Sequence, residues 1–226
     1  MQYDYLTDGS AIYDRSFAII RAEAHLDRLP DSLAPIAARM VHAAGQTDIV
    51  DDLGWSDGVV ERARAALLAG APVLCDSTMV ATGIIRSRLP RENPVVCLLQ
   101  EPATAHRAAE RGITKTMAAV ELWAERPLMT PRHLLDGAVV AIGNAPTALF
   151  RLLEVVRDTG VRPAAVVGCP VGFVGAAESK QALASNDLGL DFLTLHGRRG
   201  GSAVTVAAVN ALASPDEHTN QSLLGR

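Results

Sequence analysis

Arg39 and His42 stand at i and i+3 near the end of an amphipathic run, so on the helix that run predicts they share one face. An imidazole there suits a general acid or a hydrogen-bond donor working near neutral pH. The same place also suits a boundary histidine that packs its ring and bonds a neighbour, and the spacing does not separate the two. A second signal is three glycine loops: Gly143-Asn144-Ala145-Pro146-Thr147-Ala148-Leu149, the 168–180 stretch, and Arg199-Gly200-Gly201-Ser202. Each follows a short apolar run and precedes a helical one. Successive backbone N–H groups at such a junction bind anions without a charged side chain. Asn144 is placed to cap the helix that opens at Pro146, since proline suits a first turn. Gly172 and Gly175 let the backbone approach a bulky ligand, and Phe173 between them offers an apolar face to a planar ring. Any one of these loops, taken alone, also reads as an ordinary strand–helix turn.

Other chemistry finds less support. His25, His106, His133, His196 and His218 show no spacing to another histidine, cysteine or carboxylate that fits a metal site. His196 follows a strand and precedes Gly197, which would let it line a site. Asp48, Asp51 and Asp52 read as a solvated loop or a helix cap. There is no G-x-S-x-G elbow, no P-loop and no G-x-G-x-x-G fingerprint. Ser179 and Lys180 are adjacent and so cannot face each other on a helix. Cys75, Cys97 and Cys169 lie far apart, in or beside predicted buried strands, as reduced structural thiols do.

The elements that must position these residues alternate. Residues 72–75, 94–99, 138–142, 164–168 and 192–195 read as strands; 77–86, 103–125, 146–158, 176–185 and 202–213 read as helices between and after them. Strands separated by helices imply βαβ crossovers and a parallel sheet covered on both faces. The expected fold is therefore a three-layer α/β domain, flavodoxin-like and doubly wound, on a mainly parallel five-stranded sheet. Before it come an extended arm over 1–15 and helices over 16–29, 33–44 and 57–69. Asp31 or Ser32 would cap the second of these and Gly45 would end it. In an open sheet of this kind, loops at the carboxyl ends of the strands gather the ligand. The domain is expected to span 1–213, with a polar tail over 214–226.

Composition narrows the partners. Nearly half of the 226 residues are apolar, enough for a sizeable core, while aromatics at 4% argue against stacking platforms for nucleic acid. The net charge of −4 offers no field for nucleic acid or an anionic membrane. No apolar run would cross a bilayer, and the first residues lack the pattern of a secretion signal, so a cytoplasmic protein is expected. Only Lys115 and Lys180 among the 21 basic residues are lysines. That bias reflects either base composition or guanidinium forks that hold a carboxylate-rich ligand.

The chain resembles the precorrin-8X methylmutase family of cobalamin biosynthesis over essentially its whole length. The resemblance rests on Ile12-Tyr13-Asp14-Arg15-Ser16-Phe17-Ala18-Ile19-Ile20, Arg39-Met40-Val41-His42-Ala43, Leu74-Cys75-Asp76 and the three glycine loops, in that order. It implies an isomerase that moves a methyl group of precorrin-8X from C-11 to C-12 to give hydrogenobyrinate, with no cofactor. It also implies a homodimer with active sites at the subunit interface. His42 takes the place of the family's catalytic histidine. Ser16, Arg39, Asp76, Lys115, Asn144, Gly172, Phe173 and Arg199 are the expected substrate contacts, and no metal is expected. Lys115, within Thr114-Lys115-Thr116, stands where the family would have an arginine; it keeps the charge and loses the bidentate fork. The stretch 127–136 is longer than the usual connection. The Asp4-Tyr5 segment and the Arg39–His42 wording look closer to the aerobic type, which acts on metal-free substrate, than to the cobalt-dependent type. A tetrapyrrole carrier without turnover and a nucleotide-binding α/β enzyme are the other classes to weigh, the latter disfavoured by the missing phosphate fingerprints.

Overall fold

The structure is a computed structural model and describes residues 3–125 and 133–214. Its elements run α1 (Gly9–Glu23), α2 (Ala34–Ala44), β1 (Leu53–Trp55), α3 (Val59–Leu68), β2 (Val73–Cys75), α4 (Thr78–Gly83), β3 (Val95–Val96), α5 (Pro102–Arg111), α6 (Lys115–Trp123), β4 (Val139–Ile142), α7 (Pro146–Thr159), β5 (Ala165–Gly168), α8 (Ala176–Ala184), β6 (Phe192–Leu195) and α9 (Ser202–Ala213). One mixed sheet holds all six strands in the order β1-β6-β5-β4-β2-β3. The strands β2 to β6 pair in parallel, and β1 lies antiparallel against β6.

Alternation along the strands divides the interior in two. Val73, Val139, Ala141 and Val167 point into a core closed by α1, α2, α3, α4 and α9. Leu74, Val140, Ile142 and Val166 point the other way, into a core closed by α6, α7 and α8. Burial on both faces is why these strands read as unbroken apolar runs.

The structure departs from the sequence reading in several places. The sheet has six strands, not five, because Leu53-Gly54-Trp55 adds an antiparallel edge. Three residues are too few to show a period, and the glycine is needed: a Cβ on Gly54 would sit 2.5 Å from His196 Nε2. The first helix begins at Gly9 rather than 16, since Asp8 caps it by accepting Ala11 N–H at 2.7 Å. Neither Asp31 nor Ser32 is the cap of α2; Leu33 holds that position without a side-chain bond, and Gly45 ends the helix in the left-handed region as expected. The single helix expected over 103–125 is two. Gly112 turns the chain at φ 62°, and Thr114 caps a new helix that starts at Lys115. Residues 127–132 of the long connection and 215–226 of the tail lie outside the described residues.

Candidate active site

The helix α1 turns its buried residues Phe17 and Ile20 to the core beneath α2. Tyr13, Ser16 and Phe17 stand at i, i+3 and i+4 and so share one face. His42, in the last turn of α2, meets that face. Its Nδ1 lies 3.0 Å from Ser16 Oγ. Its ring stacks on Phe17 with centroids 5.0 Å apart and planes at 25°, and meets the edge of Tyr13 at 5.7 Å. Arg39, one turn earlier, holds its guanidinium 5.4 Å from the Phe17 centroid and 5.6 Å from that of Tyr13. His42 as a whole stays exposed. Partial burial of the imidazole first, and the Arg39 charge second, hold its pKa below the ordinary histidine value. Arg88 belongs to the same group: burial and Arg39 lower its pKa while Tyr13 raises it.

A second cluster lies at the carboxyl ends of the strands. Asp76, just past β2, is 1% exposed. Its oxygens accept the N–H groups of Gly143 at 3.1 Å, Asn144 at 2.9 Å and Ala145 at 2.7 Å. Asn144 is therefore not the cap of α7. The N-cap position is Ala145, which has no side-chain bond of its own, and Asp76 does the capping from another strand. Burial pushes the Asp76 carboxyl up, against the three N–H groups that pull it down. Asn144 itself is exposed. Lys115 is exposed close by, because Thr114 and Thr116 on either side of it meet Thr147 of α7 at 3.1 and 3.2 Å.

The other two glycine loops are fastened to each other. Gly172 N–H donates to Arg198 C=O at 3.2 Å, and Gly201 N–H donates to Cys169 C=O at 2.8 Å. Gly200 sits at φ 146°, and a Cβ there would fall 2.2 Å from Cys169 O, so only glycine fits. Arg198 lies over the Phe173 ring at 5.4 Å. Phe173 and Val174 project from the tip, 84% and 89% exposed. Arg199 is ion-paired with Asp48 at 2.5 Å and Asp52 at 3.4 Å. Both carboxylates belong to the turn Thr47–Asp52 that leaves α2 just beyond His42.

These contacts narrow one expectation. The N–H groups of Gly143, Asn144, Ala145, Gly172 and Gly201 are engaged inside the protein, so those five are not available to an anion. The loops also present the side chains of Asn144, Phe173, Arg198 and Arg199 outward. Ser16, Arg39 and His42 come together as one group. Gly172 and Phe173 form a second with Arg198, and Asn144 and Lys115 a third above Asp76. Asp76, expected to meet substrate, turns both oxygens into the loop. His196 packs against β1, its N–H donating to Asp52 C=O at 2.7 Å. The sequence reading missed Tyr13 and Phe17 as partners of His42, although their i, i+3, i+4 spacing with Ser16 carried the signal. It also missed Arg88 and Arg198, which only tertiary packing brings in.

Burial raises the thiol pKa of Cys75 and, to about 12, that of Cys169, so neither is a nucleophile near neutrality. Among the described residues no three His, Cys, Asp or Glu gather as a metal site would need, and no helix is long and apolar enough to cross a membrane. A cavity of about 660 Å³ lies among α5, α6 and α7 around the ion pairs of Glu121 with Arg111 and Arg151, on the layer opposite His42.

The family model CbiC, described as precorrin-8X methylmutase, matches residues 11–215. The precorrin-8X methylmutase of a Sinorhizobium species is 56% identical over 95% of this chain and 98% of its own length. That of Pseudomonas aeruginosa is 51% identical over 95% and 99%. A cobalt-precorrin-8 methylmutase from Salmonella typhimurium is 38% identical over 78% of this chain and 79% of its own. Among solved structures, the precorrin-8x methyl mutase of Thermus thermophilus superposes with a TM-score of 0.79 at 39% identity, covering 91% of this chain and 95% of that one.

Proposed function

The chain belongs to the precorrin-8X methylmutase family, an isomerase of cobalamin biosynthesis, and from that premise we propose that it moves a methyl group of precorrin-8X from C-11 to C-12, giving hydrogenobyrinate. The observation that carries the mechanism is the contact of His42 Nδ1 with Ser16 Oγ at 3.0 Å. With its pKa held down, His42 is neutral near pH 7. Ser16 then donates its O–H to Nδ1, which places the remaining ring proton on Nε2. That N–H is free to donate to a ring nitrogen of the macrocycle as conjugation changes. One such oriented donor is worth roughly 2–4 kcal/mol of transition-state stabilisation. A concerted [1,5] shift needs no nucleophile, so binding, orientation and this donor are the protein's share of the work.

The substrate carries acetate and propionate arms, and guanidinium groups are their natural receptors. Arg39 meets one arm beside His42. Arg199 takes another with the exposed remainder of its fork, and Lys115 a third as a point charge. Asn144 contacts the ring periphery, while Gly172 and Phe173 offer the close backbone and the apolar face. Asp76 holds the Asn144 loop from beneath instead of touching substrate. Metal-free precorrin-8X is the substrate in this reading, because the relatives named for it are 51–56% identical and the cobalt-type relative of Salmonella typhimurium only 38%.

Two copies form the working unit. The support is the family resemblance together with the exposure of His42 and of the apolar Phe173–Val174 tip. The parallel strands are wound in the flavodoxin manner, for which the order β3-β2-β4-β5-β6, reversing between β2 and β4, is the support. Residues 1–213 act as one domain, since both cores share one sheet. A reducing cytoplasm suits its three free thiols.

The test is anaerobic incubation with metal-free precorrin-8X, followed by absorbance, with His42→Ala alongside. Growth of the hydrogenobyrinate spectrum with the wild type alone is the expected result. A static, shifted spectrum with both proteins would mean either a tetrapyrrole carrier or a preference for the cobalt complex, and turnover of cobalt-precorrin-8 would separate the two.

A further inference from the structure

Lys180 is a motif residue that the reaction above leaves unused. It is 0% exposed on α8, yet it carries an ammonium. Its Nζ donates to Arg199 C=O at 2.5 Å. Ser179 beside it turns its hydroxyl to Ala176 C=O at 3.1 Å, so the two are not a nucleophile and its base. An apolar side chain of similar length would fill the same space without the desolvation a buried cation suffers. What the apolar chain could not do is hold a carbonyl.

That carbonyl sits in the middle of a fastened loop. On one side, Arg198 C=O accepts Gly172 N–H; on the other, Gly201 N–H reaches Cys169 C=O. Gly200 between them has no room for a side chain. Lys180 therefore ties α8 to the β6–α9 loop at the carbonyl of Arg199, between the two backbone bonds that join that loop to the β5–α8 loop. The guanidinium of the same Arg199 pairs with Asp48 and Asp52. Burial lowers the Lys180 pKa, and the nearby Cys169 and Asp52 oppose that effect.

We propose that Lys180 is a positioning residue for the methyl shift: through the Arg199 carbonyl it sets the guanidinium that takes a carboxylate arm of the substrate beside the turn following His42. This rests on the reaction proposed above.

The experiment compares Lys180→Met, Arg199→Ala and the double variant by steady-state kinetics with precorrin-8X, and by hydrogen exchange of the free proteins. Lys180→Met is expected to raise KM about tenfold, the scale of one lost charged hydrogen bond, with kcat within about twofold of wild type. Arg199→Ala should raise KM comparably, and the double variant no further than the larger single effect. Lys180→Gln keeps an N–H donor and should recover part of the wild-type KM. Effects that multiply, a fall in kcat alone, or a glutamine variant no better than methionine would overturn the proposal. Exchange should quicken in Lys180→Met only over 169–172 and 198–201. Unchanged exchange there overturns the proposal whatever the assay reads. A wild type that fails to convert precorrin-8X overturns the reaction instead, and leaves the exchange result to decide whether Lys180 ties the loops.

Discussion

His42 and the paired loops after β5 and β6 are built in opposite ways. His42 rests on two aromatic rings and one hydroxyl at the surface of α1 and α2, and keeps contact with solvent. The loops are fixed by backbone hydrogen bonds, by a glycine with no room for a Cβ, and by a fully buried lysine. The first arrangement leaves an imidazole free to adjust to a ligand. The second ties two loops to each other and to α8. Changes at His42 should therefore cost activity with little cost to the fold, whereas changes in the loops should cost both.

The sharpest way to break this contrast is His42→Ala. Turnover of precorrin-8X should fall by about 10²–10³, while the free energy of unfolding in a urea titration changes by no more than about 0.5 kcal/mol, as at an ordinary surface site. A variant that loses its fold would make His42 a packing residue. Gly200→Ala should lower activity and also destabilise the protein, by about 1–3 kcal/mol, through overpacking against Cys169 O. Full stability in urea titration would mean the two loops are not rigidly joined. Asp76→Asn leaves at least one buried N–H of the 143–145 loop facing a donor, at a cost of about 1–3 kcal/mol; the same titration reads it, and a neutral result would remove Asp76 as the cap of α7.

Smaller effects refine the His42 side. Ser16→Ala should lower kcat/KM by up to about tenfold, the scale of one neutral hydrogen bond, without moving the unfolding midpoint. Activity should rise as pH increases through the acid range below the ordinary histidine pKa and hold above it, because the neutral imidazole is the working form. A loss of rate on the way up, centred at or below the ordinary histidine pKa, would mean the imidazolium is the acid. The folded pKa is depressed, so the unfolded chain takes this proton first and the fold loses stability as pH falls below the ordinary histidine value. His42→Ala should remove that acid-side loss.

The sequence carried whatever depends on local pattern. Apolar runs marked the five parallel strands, and the Arg39-x-x-His42 spacing placed both side chains on one face. Gly45 closed α2 as expected. What it hid depends on contacts across the chain. The cap of α7 comes from Asp76, 69 residues before Ala145, where a local reading finds only Asn144. The break at Gly112 was masked by helix-forming residues on both sides. The strand Leu53-Gly54-Trp55 exists because β6 offers it an edge, not because its residues favour extension. Arg199 meets Asp48 across 151 positions, so the acidic cluster, solvated as the sequence indicates, also carries an ion pair that no local pattern shows.

The two margins of the sheet carry a consequence for how copies of the chain can meet. At one margin stands β1, three residues long; at the other β3, two residues long. Neither offers enough unpaired backbone to recruit a further strand, which is how natural sheets avoid open-ended growth. Contact between copies then falls to side chains on the helical faces and loop tips, where packing and not backbone pairing decides which surfaces meet.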